Sequence, residues 1–121
     1  MTRTTAEPWS EMSLLNEKST LDRLKGDTEF LTTLYTVFVG DLPKKLATIE
    51  EAMQQQDMNA LQRSAHSLKG ASATVGADAL REASFSLEVA AKDNDAESAK
   101  HLVPKLMDLA EKTSAHIRKS L

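Results

Sequence analysis

From Leu31 to Met53 the chain keeps one rhythm: Leu31, Leu34, Phe38, Leu42, Leu46, Ile49 and Met53 step by three or four residues, with Tyr35 beside them. An α-helix of about 3.6 residues per turn gathers such positions onto one face. The stripe spans roughly six turns, which makes a long helix with an apolar side that has to be buried. No helix covers its own stripe, so other elements must pack on it. Composition says that those elements are helices as well. Ala and Leu each occur 16 times, whereas Val and Ile together occur seven times. So few β-branched residues leave little from which to build a sheet, and the expected fold class is all-α.

Sparse punctuation divides the rest. Leu14, Leu15, Leu21 and Leu24 precede Lys25-Gly26, which reads as a short first helix with a cation in its last turn and a glycine stop. Asp27 caps the long helix. Gly40 and Pro43 interrupt it, and because proline removes a hydrogen bond and crowds the preceding turn, a kink near Gly40 or a fresh start at Asp41 is expected. Asp57 caps a third helix, in which Leu61, Ala65, Leu68, Ser72 and Val75 alternate steps of four and three before Gly76. Leu80, Ala83 or Ser84, Leu87 and Ala91 mark a fourth, which ends in the polar run from Lys92 to Asp95. Leu102, Leu106, Leu109, Thr113 and Ile117 mark the last, where Pro104 asks for a bend or a helix start just before it. Four substantial helices with short connections predict an antiparallel up-and-down four-helix bundle with a short extra N-terminal helix. Residues 1–10, with Pro8 and no stripe, read as a flexible tail that only Trp9 can dock, and residues 11–121 as the bundle.

Several function classes drop out. A length of 121 residues suits one domain. Cysteine is absent, which removes disulfides, thiolate zinc sites, iron–sulfur clusters and thiol nucleophiles, and fits a reducing, cytoplasmic setting. A net charge of −3 offers no basic excess to release counterions from nucleic acid, so no such partner is expected. No apolar run approaches ~18 residues, so membrane insertion is not expected. Glu97 and His101 stand at i and i+4, but the paired Glu-x-x-His motifs of a di-metal bundle are missing. Neither a metal nor a cofactor is expected, and His101 and His116 read as surface residues.

The third histidine is different. On a helix, Gln62, His66, Lys69, Gly70 and Ala73 stand one above another, about 100° round from the Ala65 stripe. His66 therefore flanks the core. Lys69, one turn on, can place an ammonium beside a group attached to the imidazole, and Gly70 leaves the adjacent surface bare for another protein. This is what a surface phosphoryl acceptor needs. Lys-Gly is also how ordinary helices end, and that reading stays open. Against it, the stripe continues through Ser72 to Val75, Gly76 offers a better stop, and a mid-helix glycine costs about 1 kcal/mol relative to alanine.

A hairpin turning about Ala77 levels residues equidistant from it: His66 with Glu88, and Lys69 with Phe85. A Glu88 carboxylate accepting from Nδ1–H would leave Nε2 as the free nucleophile. Pairing of Glu88 with Lys92 on a solvated face is the other reading. Phe85 lies beside Arg81, Glu88 and Lys92 rather than in the Leu80 and Leu87 stripe, so it is either a partly exposed anchor or a ring tucked between helices.

The segment resembles the signature of histidine-containing phosphotransfer (HPt) domains: a histidine, an apolar residue at +2, lysine at +3, glycine at +4 and a second glycine at +10. His66, Leu68, Lys69, Gly70 and Gly76 match each position. Phe38 with an acidic residue and Pro43 upstream, the Asp57 turn and the Leu87-Glu88 pair downstream extend the likeness over about residues 19 to 110. The departures are a bulky Phe85 and the Pro104 break. The resemblance implies a bundle whose exposed His66 accepts a phosphoryl group from the aspartate of one response-regulator receiver domain and yields it to another, with the receiver supplying the Mg2+. Lys69 and Glu88 would support the phosphoryl group, and Gln62, Arg63, Gly70, Ala73 and Phe85 would form the docking surface. A hybrid histidine kinase is the further partner implied, and the chain is expected to be a monomer without autonomous catalytic activity. Two alternatives stand beside this: a helical interaction module that is never phosphorylated, and the phosphoacceptor segment of a larger hybrid kinase.

Overall fold

The computed structural model describes residues 7–121, and among these residues all regular structure is helical. A short α1 (Glu17–Arg23) leads into α2 (Thr28–Gln54), α3 (Met58–Val75), α4 (Asp78–Lys92) and α5 (Ala96–Arg118). Only two or three residues join each of the four long helices to the next, which forces neighbours to run antiparallel. α5 packs back on α2 and closes the ring. The all-α bundle with a short N-terminal helix is thus the architecture. Among the described residues no helix is long and apolar enough to cross a membrane.

Local chemistry explains the helix starts. Asp27, Asp57 and Asp95 accept the backbone N–H of Phe30, Ala60 and Ser98 at 2.9, 3.0 and 3.1 Å. Each carboxylate satisfies an orphan donor and meets the positive end of its helix, which stabilises the start by about 1 kcal/mol. α4 has Ala77 at its N-cap, whose side chain makes no capping hydrogen bond. The segment before α1 supplies the partners instead. The Ser13 carbonyl accepts the Ala79 N–H at 3.1 Å, and the Asn16 N–H donates to the Gly76 carbonyl at 2.7 Å. Arg23 donates to the carbonyls of Ala73 and Thr74, in the last turn of α3. The N-terminal helix therefore clamps the α3–α4 turn.

Burial follows the stripes. Ile49, Leu61, Leu68, Leu80, Leu87, Leu106 and Ile117 are fully buried, each contributing about 1.5–3 kcal/mol. Ala65, Ser72, Ala83 and Ser84 are buried between them, and their small size lets α3 and α4 approach closely. Ser84 stays satisfied in the core by donating to the Leu80 carbonyl at 2.8 Å.

Three boundaries differ from what the sequence suggests. α2 does not restart at Asp41, because the stripe stays buried on both sides of Pro43 and the proline ring faces solvent. α5 starts at Ala96, well before Pro104, which is likewise exposed. Leu14 and Leu15 precede α1 rather than belonging to it. Of the stretch 1–10, residues 1–6 lie outside the described residues. Residues 8–10 form a turn, and Trp9 is buried against Ala79 and Ala83, with Met12, Leu102 and Leu109 around it. Glu7 pairs with Lys105.

Gly76 ends α3 in the left-handed region, at a φ of 75°. A Cβ there would stand 2.1 Å from Thr20 Oγ1 and 2.8 Å from the Asn16 carbonyl oxygen. Backbone strain and this clash together predict that Gly76→Ala destabilises the fold by about 2–3 kcal/mol. Chemical denaturation of the variant against the parent chain checks this, and an unchanged midpoint would contradict it.

Candidate phosphoacceptor site

His66 lies in the middle of α3 with its side chain 66% exposed. The α3–α4 hairpin brings Glu88 level with it, and Nδ1 sits 2.8 Å from Glu88 Oε2. The other carboxylate oxygen, Oε1, lies 2.7 Å from Lys69 Nζ. One carboxylate, itself only 16% exposed, thus ties the imidazole and the ammonium together. The ammonium also rests over the Phe85 ring, 5.1 Å from its centroid. The partners of Glu88 are on α3, and it makes no ion pair with Lys92.

The protonation pattern follows from these contacts. Burial pushes the Glu88 carboxyl up, but the bonds from Lys69 and His66 outweigh it and hold the group below its ordinary value. Glu88 is therefore an ionised acceptor at neutral pH. A carboxylate cannot donate, so Nδ1 carries the proton, and a neutral imidazole then has its lone pair on Nε2. The exposed nitrogen is the nucleophilic one. Because the folded pKa is depressed, the stabilising contribution of Glu88 is present above the ordinary carboxylate range and is lost as pH falls through the lowered value.

The surroundings are open. Asn59, Gln62 and Arg63 border His66 and Glu88 in a shallow groove. Lys69, Gly70, Ala73, Arg81, Glu82 and Phe85 border a second. Phe85 is 45% exposed, so the ring is not tucked between helices. Gly70 is exposed in mid-helix, and an added Cβ would meet nothing within 4 Å. Packing therefore does not require glycine there. Glu97 and His101 are exposed and 3.9 Å apart, and His116 is exposed as well.

One part of the neighbourhood is missing from the sequence-based site. Lys45 Nζ donates to Ser67 Oγ at 2.8 Å, which places a lysine of α2 beside the residue next to His66. The spacing holds a signal for it: a hairpin turning about Gln56 levels these same two residues, just as the turn at Ala77 levels His66 with Glu88.

Among the described residues the site is thus an exposed, oriented imidazole on a helical bundle, with a cation one turn away and open grooves rather than an enclosed cavity beside it. Comparison with known proteins agrees. The family profile described as Hpt domain matches residues 33–116. The fold is similar to that of histidine-containing phosphotransfer protein B (HptB) from Pseudomonas aeruginosa PAO1, with a TM-score of 0.82 and 23% identity, covering 91% of this chain and 96% of that one. It is also similar to the HPT domain of a sensor hybrid histidine kinase from Shewanella, with a TM-score of 0.80 and 21% identity, covering 89% and 93%. No curated protein matches the sequence. The chain belongs to the Hpt domain family, whose role is phosphotransfer in two-component signalling.

If Glu88 sets the tautomer, Glu88→Ala shifts neutral His66 toward the Nε2–H form that predominates in free imidazole side chains. The nitrogen-15 shifts of the ring report this directly. Phosphoryl acceptance should fall about tenfold, and an unchanged tautomer ratio would contradict the assignment.

Proposed function

We propose that the chain is a phosphorelay intermediate in which His66 takes a phosphoryl group from the aspartate of one receiver domain and passes it to another. The observation that carries this is the pairing of an exposed imidazole with a buried-edge carboxylate, Nδ1 to Glu88 Oε2 at 2.8 Å, beside a bare glycine. In the forward step the Nε2 lone pair attacks phosphorus, the bond from phosphorus to the aspartyl oxygen breaks, and the aspartate leaves as a carboxylate. No proton has to leave Nε2 first. Positive charge develops on the ring as the bond forms, and Glu88 faces it across Nδ1–H. Lys69, held within the same cluster, supplies a cation for the phosphoryl oxygens. The Mg2+ that neutralises charge on the donor belongs to the receiver domain.

In this reading Gln62, Arg63, Gly70, Ala73 and Phe85 form the surface on which the receiver sits. Open grooves rather than a cavity support a protein partner, because a small substrate would be left largely in water. The partners are receiver domains, one of them carried by a hybrid histidine kinase. The chain acts in the cytoplasm as a monomer.

Receivers charged with labelled phosphate are the test. Label on the wild-type chain should be acid-labile and alkali-stable. His66→Gln should abolish it while shifting stability by no more than about 0.5 kcal/mol, since the position is exposed. Undiminished labelling of that variant would sink the reading.

Gly70 separates docking from folding. With nothing for a Cβ to strike within the chain, Gly70→Ala should raise stability by about 0.5–1 kcal/mol. The same methyl group should slow transfer from a receiver, because it stands where the partner approaches. Thermal melts and transfer rates on one preparation check both signs, and faster transfer with the higher melting temperature would contradict the docking role.

A further inference from the structure

On the α2 side of His66 a groove of about 310 Å³ is lined by Lys44, Lys45, Thr48, Arg63, Ser64 and Ser67. It holds three cations and no carboxylate. Among the described residues none of the three has a carboxylate oxygen within 4.0 Å. The Lys45 ammonium is held on Ser67 at 2.8 Å, while Lys44 and Arg63 are exposed. The other flank of His66 has a different character, mixing Lys69, Arg81 and Glu82 with the Phe85 ring. Charge is therefore distributed against the overall balance: a chain of net charge −3 gathers uncompensated cations along one edge of its phosphoacceptor helix.

Like charges brought this close repel, and nothing in the packing of α2 against α3 requires them, since both Lys44 and Arg63 point to water. A counter-charge from outside removes that cost. We propose that Lys44, Lys45 and Arg63 form a selectivity surface for receiver domains that carry carboxylates on the face meeting α2. This inference rests on the phosphorelay reading and names which receivers that reading admits. The cations draw an acidic receiver toward the His66 edge and set its register, and a receiver with a basic surface there is repelled. A long polyanion is a poor occupant, because the remainder of a net-negative chain opposes a strand that extends beyond the groove.

The experiment measures initial rates of phosphoryl transfer to the full chain from a panel of aspartyl-phosphate receiver domains. Their surface charge beside the aspartate runs from acidic to basic. Rates are compared at about 10 mM and about 0.15 M salt, between which the screening length falls from about 30 Å to about 8 Å. Acidic receivers should be fastest at low salt, with an advantage that shrinks at the higher value. The double variant Lys44→Glu with Arg63→Glu should slow transfer from acidic receivers about tenfold at low salt and speed transfer from basic ones, with an unchanged melting temperature. The same ranking of receivers in variant and wild type would overturn the proposal. So would a variant that keeps the ranking and loses affinity for duplex DNA, which would assign the cations to nucleic acid. Label on His66 without any ranking by charge overturns only the role of the groove. Absence of label on the wild-type chain from every receiver overturns the phosphorelay reading, and this proposal with it.

Discussion

The left-handed turn at Gly76 sets the register of α3 against α4, and the surroundings of His66 depend on that register. A slip of one residue would rotate Glu88 about 100° around α4, away from the imidazole. The turn is held from outside the hairpin. Thr20 and the Asn16 carbonyl leave no room for a side chain at Gly76, the Asn16 N–H donates to the Gly76 carbonyl at the end of α3, and the Ser13 carbonyl accepts an N–H that a capless α4 exposes. The short N-terminal helix, which carries no site residue, thus contributes to the site by fixing where two other helices meet.

Within that register, residue size and exposure do separate jobs. Small buried residues, Ala65 and Ser72 on one helix and Ala83 and Ser84 on the other, bring the backbones close enough for a glutamate to reach across to a histidine. The glutamate is sheltered enough for its bonds to matter electrostatically, and the histidine is exposed enough to meet a second protein. Gly70 sharpens the contrast. The interior of the chain does not explain its identity, since a methyl group would find open space there. A residue that costs helix stability without serving the fold points outward, toward whatever lies against it.

The two flanks of α3 give the site its polarity. Toward α4 lie a ring, a shielded carboxylate and a tethered ammonium; toward α2 lie cations that, among the described residues, have no carboxylate partner. In the proposed reading chemistry falls on one flank and discrimination on the other, with charge doing the selecting that an enclosed pocket would do by shape.

Much of this is legible in the amino-acid order. Apolar spacing locates the four long helices, Asp27 and Asp57 mark two of their starts, and levelling about Ala77 puts Glu88 opposite His66. These are local or nearly local properties: helical period, capping chemistry and a two-residue turn act within a few residues or across one tight hairpin. Local rules mislead where tertiary packing overrides them. Pro43 and Pro104 suggest a bend or a fresh start, yet neither fresh start occurs, because stripes buried on either side of an outward-facing proline outweigh one lost hydrogen bond. Trp9 lies in a stretch without periodicity, and only the assembled surface of α4 and α5 gives it a place to bury. The cationic groove likewise joins Lys44 and Arg63 across a helix pair, where charge is set by neighbours in space. Sequence alone determined which faces exist and which histidine has a lysine and a glycine one turn along its own face. Only the tertiary structure decided which faces meet, and so which charges are paired and which are left to face a partner.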